Sequence, residues 1–469
     1  MSQQVHVLNK RNTGKRSALQ LPEYLQVTRG ITAYIPILFT IIAMFIGTSW
    51  QIFLTTSDPA RYQCYTLAFW LGSDATKMLP ADQCQFLRSQ LPAPQPPFHI
   101  LPFEYPPLTL LPFTLAMVTP LPYYQLAFAF LMSLVVLLLY WLLLRFGPRG
   151  SWIAFVSYVL LGAIATMQVR FDVLPSLLTF LCILAAERKR WTLAYLALAF
   201  GTLLKIYPIL LLPALFIAEQ RSCGHLPVPR EAVTLRTLWQ TLTTCKQWRW
   251  KNCLLFLIAL LGITGIFAAL NFEGAVIDQL QYFLQRPMQV ESSGSTLLWL
   301  AHFFGFPIST NYDFGSINLL SPLGKGISNL STLALLAGCA YALWLQWRAK
   351  MNLTQTAIAL LLVFIATGKV FSPQYLIWVL PLIAYAYALD TFWLFHWNVI
   401  SVLTTYIYIF LYSQTADPHQ YVQPLTIPGF FEVVGLRNAF VVFVTLAFLF
   451  NWWQVRSPVT QEDRLEAFA

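Results

Sequence analysis

Charge is what this chain has least of. Only 10% of its 469 residues are Asp, Glu, Lys or Arg, while 57% are hydrophobic; a soluble domain normally carries about 25% charged residues. A soluble globule is excluded. Histidine is thin as well: His6, His99, His225, His302, His396 and His419 are scattered in sequence, which argues against a histidine-based metal site. There is no P-loop, no dinucleotide fingerprint and no paired-aspartate metal motif, so a nucleotide-driven cytoplasmic enzyme is disfavoured. Two of the seven cysteines, Cys64 and Cys84, fall in one polar loop, where an oxidising exterior would permit a disulfide. The spacing alone leaves that bridge open.

What the chain does have is long apolar runs. Residues 31–53, 125–144, 253–270 and 438–453 reach or approach the roughly 20 residues needed to cross about 30 Å of hydrocarbon. We therefore expect an all-α, polytopic integral membrane protein. The net charge of +10 follows from topology and does not call for a nucleic acid partner. With the N-terminus inside, roughly 20 of the 29 Lys and Arg fall in cytoplasmic segments. They include Lys10, Arg11, Lys15 and Arg16, then Arg145 and Arg149, Arg188-Lys189-Arg190, residues 221–251, Arg348 with Lys350, and Arg456 with Arg464. The basic start, with no small-residue cleavage site behind the first apolar run, reads as a retained tail.

This orientation yields about 12 transmembrane helices. They are placed near 31–53, 123–144, 151–169, 172–187, 191–206, 207–219, 252–270, 328–347, 352–369, 374–389, 391–412 and 435–454. The run Pro106 to Thr119 is short for a span, and counting it as one would place Arg188-Lys189-Arg190 outside. It is read as an outer juxtamembrane or re-entrant helix, and Leu297 to Phe304 is likewise read as non-crossing. The domain layout is then a cytoplasmic tail over 1–30, one transmembrane domain over 31–454 and a cytoplasmic tail over 455–469. Outer loops occupy 54–107 and 271–326, and a cytoplasmic loop occupies 220–251.

The ionisable residues on the outer side are Asp58, Glu104, Arg170, Asp172, Lys205, Arg286, Glu291 and Lys369. Charges at helix ends in a bilayer are costly unless they face a polar cavity or act on a substrate. Asp58 follows the first span in Ser57-Asp58-Pro59-Ala60-Arg61-Tyr62, placed to take a proton from an acceptor hydroxyl. A turn-forming aspartate before proline is the plainer reading of that sequence alone. Lys205-Ile206-Tyr207-Pro208 and Lys369-Val370-Phe371-Ser372-Pro373 share a lysine, an aromatic two residues on, and a proline. Beside Arg170 and Arg286 they would form a cationic pocket suited to a lipid phosphate; either lysine could instead simply snorkel. Arg286-Pro287-Met288-Gln289-Val290-Glu291-Ser292 gathers groups that can grip sugar hydroxyls or close on themselves through an Arg286–Glu291 pair. Phe103-Glu104-Tyr105-Pro106-Pro107 ends the first loop before a proline-started helix, and Arg170 with Asp172 is a candidate local ion pair.

With these residues in order, the chain resembles the GT-C class of membrane glycosyltransferases, specifically glycosyltransferase family 87, which includes polyprenol-phosphate-mannose-dependent α-mannosyltransferases. The likeness rests on Asp58 with Tyr62, Tyr105-Pro106-Pro107-Leu108, the Asp172 segment, Lys205 to Pro208, Arg286 to Ser292 and Lys369 to Tyr375. It covers about two thirds of the chain. Where relatives often carry a Gly-Gln-x-Asp-like segment, this chain has Gln168-Val169-Arg170-Phe171-Asp172, which leaves that segment's role open.

The resemblance implies inverting transfer of a hexose, mannose first, from a polyprenyl-phosphate carrier to a lipid or glycan acceptor on the outer face. Asp58 would be the base. Tyr62, Glu104, Tyr105, Arg170, Asp172, Lys205, Tyr207, Arg286, Gln289, Glu291, Lys369 and Gln374 are the candidate substrate-binding residues. No cofactor or metal is expected, since phosphate is already a good leaving group and fixed cations can stabilise it. The bilayer, the lipid-linked donor and the acceptor are the expected partners, and a bacterial inner membrane is the expected location. A secondary transporter or lipid-linked sugar flippase is the alternative, because about 12 spans also suit a transporter. A non-catalytic scaffold for another glycosyltransferase is the third reading.

Overall fold

The computed structural model describes residues 30–89, 93–226, 244–414 and 423–451. The tails over 1–30 and 455–469, apart from Gly30, and most of the 220–251 loop lie outside the described residues. The chain is predominantly helical. We label helices α1 Ile35–Ile52, α2 Asp58–Leu71, α3 Leu110–Leu115, α4 Tyr124–Phe146, α5 Ser151–Gly162, α6 Val173–Glu187, α7 Trp191–Leu204 and α8 Leu212–Ser222. The second half holds α9 Lys251–Leu270, α10 Asp278–Gln285, α11 Ser293–His302, α12 Gly324–Trp347, α13 Leu353–Thr367, α14 Tyr375–Tyr387, α15 Thr391–Thr405 and α16 Phe430–Leu449.

Among the described residues, six helical stretches are long and apolar enough to cross a membrane: Ile31–Ile52, Leu121–Phe146, Lys251–Leu270, Gly324–Trp347, Thr391–Gln414 and Phe430–Leu449. The remaining expected spans form shorter helices, with α5, α6, α7, α13 and α14 running 12 to 15 residues. The apolar run at 151–169 shows why: α5 stops at Gly162, and residues 163–169 form turns instead of completing the span. Some helices are buried on every side. In α14, every residue from Leu376 to Tyr387 is buried, as expected for a helix that is apolar all round and sits in the middle of a bundle. Others are bare. Only 6% of the apolar window of α9 and of α12 is buried, leaving Leu254, Ile258, Leu261, Leu330, Leu333 and Leu336 exposed. Continuous apolar surface of this kind suits lipid and not water, and the protein is a helical membrane protein.

The connections show that the bundle has two distinct ends. Asp172 and Lys205, which flank α6 and α7, meet at one end, while Glu187 at the far end of α6 accepts from Thr354 at the start of α13. We call the first the site end. Over it lie the two large polar segments, 54–107 and 271–326. The second contains the one sheet among the described residues, an antiparallel hairpin of β1 Ser309–Asp313 and β2 Ser316–Leu320 that departs from the expected all-helical fold. Phe314 (φ 52°) and Gly315 (φ 66°) form its two-residue turn, and positive φ at both central positions matches the right-handed twist of the strands. A Cβ on Gly315 would stand 2.6 Å from Glu104 Oε1, so the hairpin tip closes directly on the first segment.

The first segment is pinned by a disulfide between Cys64 and Cys84, with Cα atoms 5.7 Å apart. Cys182, Cys223, Cys253 and Cys339 are free. Closing a loop across a sequence separation of 20 is worth about 3 kcal/mol on the chain-entropy account. Cys64→Ser/Cys84→Ser should therefore unfold at lower temperature by about that free energy. In the denatured protein, a maleimide should add to these two buried sulfurs only after reduction; equal labelling before and after would show that the bridge is absent.

Candidate functional site

Among the described residues, four largely buried ion pairs gather at the site end, beside an exposed fifth, Lys77 with Asp74. Asp58 is the first residue of α2, capped by Ser57, whose Oγ accepts from Ala60 N and hydrogen-bonds the Gln125 side chain at 2.8 Å. A carboxylate in the first turn complements the helix dipole. The Asp58 side chain is 15% exposed, and its Oδ2 lies 2.5 Å from Arg170 Nη2. Arg170 sits on the turn segment after α5, which neighbouring helices hold firmly. Gln168, fully buried, donates to Ser133 Oγ at 2.8 Å and accepts from Thr48 Oγ1 at 3.0 Å, and Gln51 Nε2 donates to Ala165 O at 2.6 Å. This assigns Gln168 an anchoring role in the segment whose function the sequence left open.

The second pair joins Lys205 to Asp172 at 2.5 Å. Asp172 is 1% exposed and also accepts from Trp378 Nε1 at 2.7 Å. Trp378 is stacked between Tyr207 (4.1 Å) and Tyr375 (3.9 Å), and the Lys205 ammonium stands 5.0 Å from the Phe171 ring. The two pairs touch electrostatically, since Lys205 feels both Arg170 and Asp58. Trp378→Phe keeps the aromatic stack but removes the donor to a charged acceptor, so it should cost about 1.5–3 kcal/mol in thermal unfolding. An unchanged melting curve would show that Lys205 alone satisfies Asp172.

The third pair, Arg61 with Glu104, lies beneath the hairpin tip, with the Arg61 guanidinium 4.6 Å over the Phe86 ring. The fourth is the most buried. Glu291 Oε2 accepts from Arg437 Nη1 at 2.8 Å, Glu291 O accepts from Arg437 Nη2 at 2.6 Å, and Tyr412 donates to Glu291 Oε1 at 3.0 Å. Asn438 completes the network by donating to Glu291 O at 3.1 Å and Thr296 Oγ1 at 2.8 Å. Burial is the largest influence on the Glu291 carboxyl and pushes it upward, while Arg437, Tyr412 and Arg170 pull the other way.

Two local pairings considered from sequence are corrected here. Arg170 pairs with Asp58 and not with its neighbour Asp172; Glu291 pairs with Arg437 and not with Arg286. Of the four cations expected to form a pocket, Arg170 and Lys205 each bring a carboxylate with them, as burial demands, because an unpaired buried charge is costly. Arg286 and Lys369 form no ion pair among the described residues. Arg286 lies over the Tyr282 ring at 5.1 Å and reaches Tyr375 electrostatically. Lys369 is held by its backbone, with its carbonyl accepting from Gln289 N at 2.9 Å.

The other candidates divide into wall and floor. Tyr62 is fully buried, stacked on Phe113 at 4.1 Å and edge-on to Tyr105 and Phe171. Tyr105 packs edge-on against Phe171 at 5.0 Å. Tyr207 is 4% exposed. Gln289 accepts from Phe371 N at its Oε1 at 2.8 Å and donates its N–H to Lys369 O, so it ties the 286–292 loop to the chain after α13, while Glu291 ties the loop to α16. Gln374 is 8% exposed; its Oε1, like Nε of Arg170 and Arg286, has no hydrogen-bond partner among the described residues.

Arg437, Trp378, Arg61 and Tyr412 were not singled out from sequence. Arg437 could have been, because an arginine inside an otherwise apolar span signals a specific partner. Chemically, the assembled site offers a partly exposed carboxylate, a guanidinium beside it, two further cations without carboxylate partners among the described residues and an aromatic wall. Such a set can accept a proton and hold an anion. Comparison of the chain with family models, curated proteins and solved structures finds no match.

Proposed function

We propose that this protein is a GT-C-like, inverting glycosyltransferase. In this reading it moves a hexose, mannose first, from a polyprenyl-phosphate carrier to a lipid or glycan acceptor at the outer face of a bacterial inner membrane. The six long helices and the shorter apolar ones together would make about 12 crossings, with both termini inside. The observation that carries the reading is the Asp58–Arg170 pair at the site end, 15% and 16% exposed, next to the Asp172–Lys205 pair. The disulfide at the same end supports an oxidising, outward orientation.

In the proposed step the donor phosphate takes the Arg170 guanidinium, and Asp58 is released to act as base. It takes the acceptor hydroxyl proton as the acceptor oxygen bonds to the anomeric carbon from the face opposite the phosphate. The sugar–phosphate C–O bond breaks, and the electron pair leaves with the phosphate toward Arg170, Arg286 and Lys369. The Asp172–Lys205–Trp378 unit would fix the segment that carries Arg170. A single displacement gives a product whose anomeric configuration is opposite to the donor's. We expect NMR of the purified product to show that inversion, and retention of configuration would rule out direct attack with Asp58 as base.

A further inference from the structure

At the opposite end of the bundle a polar pocket opens, of about 620 Å³, lined by Lys189, Trp191, Ser222, His225 and Arg249 among others. It lies far from the candidate active site. α7 runs from Trp191 at this pocket to Leu204 beside Lys205, a length of 14 residues or about 21 Å.

The pocket is built, not merely basic. Gln220, fully buried, clamps the backbone of Arg249 by accepting from its N at 2.9 Å and donating to its O at 3.2 Å, and it hydrogen-bonds His225 Nδ1 at 3.0 Å. Lys189 occupies the left-handed region (φ 58°) in the tight link between α6 and α7, a conformation uncommon for a residue with a side chain. Neither Lys189 nor Arg249 is paired with a carboxylate among the described residues. The start of α7 has no side-chain cap, which adds open N–H donors.

The surroundings set the depth. Trp248 and Trp250 stack at 6.2 Å, and Phe216 and Trp347 pack against them; such aromatic belts mark the membrane–water boundary. Immediately beyond Lys251, α9 exposes Leu254, Ile258 and Leu261, a surface suited to acyl chains. We infer that this pocket binds the phosphate of an anionic headgroup, with Lys189 and Arg249 as its two charged contacts. Basic pockets between helices at a membrane surface recognise lipid headgroups in this way.

The test is native mass spectrometry of the full-length, detergent-purified protein titrated with phosphatidylglycerol, with phosphatidylcholine as the zwitterionic comparison and inorganic phosphate as competitor. Lys189→Gln/Arg249→Gln should bind phosphatidylglycerol about thirtyfold more weakly than the unmodified chain. Lys350→Gln, which removes a charge outside the pocket lining, should bind it as well as the unmodified chain does. Competition by millimolar inorganic phosphate would identify a soluble phosphate compound as the ligand; no competition would identify the lipid. Unchanged binding by the double variant, an equal loss in Lys350→Gln, or equal affinity for phosphatidylcholine would overturn the proposal.

Discussion

Asp58→Asn should lower sugar transfer by about 10²- to 10⁴-fold while donor binding persists. The substitution preserves the size of the side chain and its carbonyl-type acceptor, so the first turn of α2 and the Ser57 cap should hold. What is lost is the ability to take a proton. Arg170, freed from a carboxylate partner 2.5 Å away, becomes more available to an incoming phosphate, so donor affinity should hold or tighten. A change confined to kcat is the signature of an interaction made only in the transition state. If Asp58→Asn turned over normally, some other group would have to be the base. If donor binding collapsed instead, Asp58 would be a positioning residue for the phosphate site.

Much of this site is legible in the sequence, because a charge in an apolar chain stands out. Asp58, Glu104, Arg170, Asp172, Lys205 and Glu291 all belong to ion pairs at one end of the bundle. What sequence spacing cannot supply is who pairs with whom. Arg170 and Asp172 are two apart, yet their partners come from α2 and from the end of α7, since adjacent side chains on the turn segment diverge. Arg437 lies 146 positions from Glu291 inside a run that reads as an ordinary span. The short helices were harder to read for a related reason: apolar residues at 151–169 satisfy any hydropathy window, but only packing decides that the helix ends at Gly162. The hairpin at 309–320 had little signal beyond Gly315, because its strands are short and polar on one side.

Arg437→Met should be the most destabilising single change, by about 3–5 kcal/mol. Arg437 is 0% exposed and Glu291 2%, so removing the guanidinium leaves a carboxylate buried with only Tyr412 and its neighbours for company. Adding Glu291→Leu should recover most of the loss, since replacing both members of a buried pair by apolar groups is often near neutral. The pair also has a positioning consequence. Through Gln289 it holds the 286–292 loop against Phe371 N and Lys369 O, so Arg437→Met should also weaken donor binding as Arg286 and Lys369 lose their fixed placement. A double-mutant cycle by thermal unfolding in detergent measures the coupling. Additive losses in the two single variants would show that the pair is not an energetic unit.

Transfer of radiolabelled mannose from a polyprenyl-phosphate donor by the purified protein, with a lipid extract of the source membrane as acceptor and Asp58→Asn alongside, measures the proposed reaction directly. A new labelled product is expected with the unmodified chain and almost none with the variant. No product from mannose or any other polyprenyl-phosphate sugar, together with movement of lipid-linked sugar across the membrane driven by a proton gradient, would contradict it and identify a transporter.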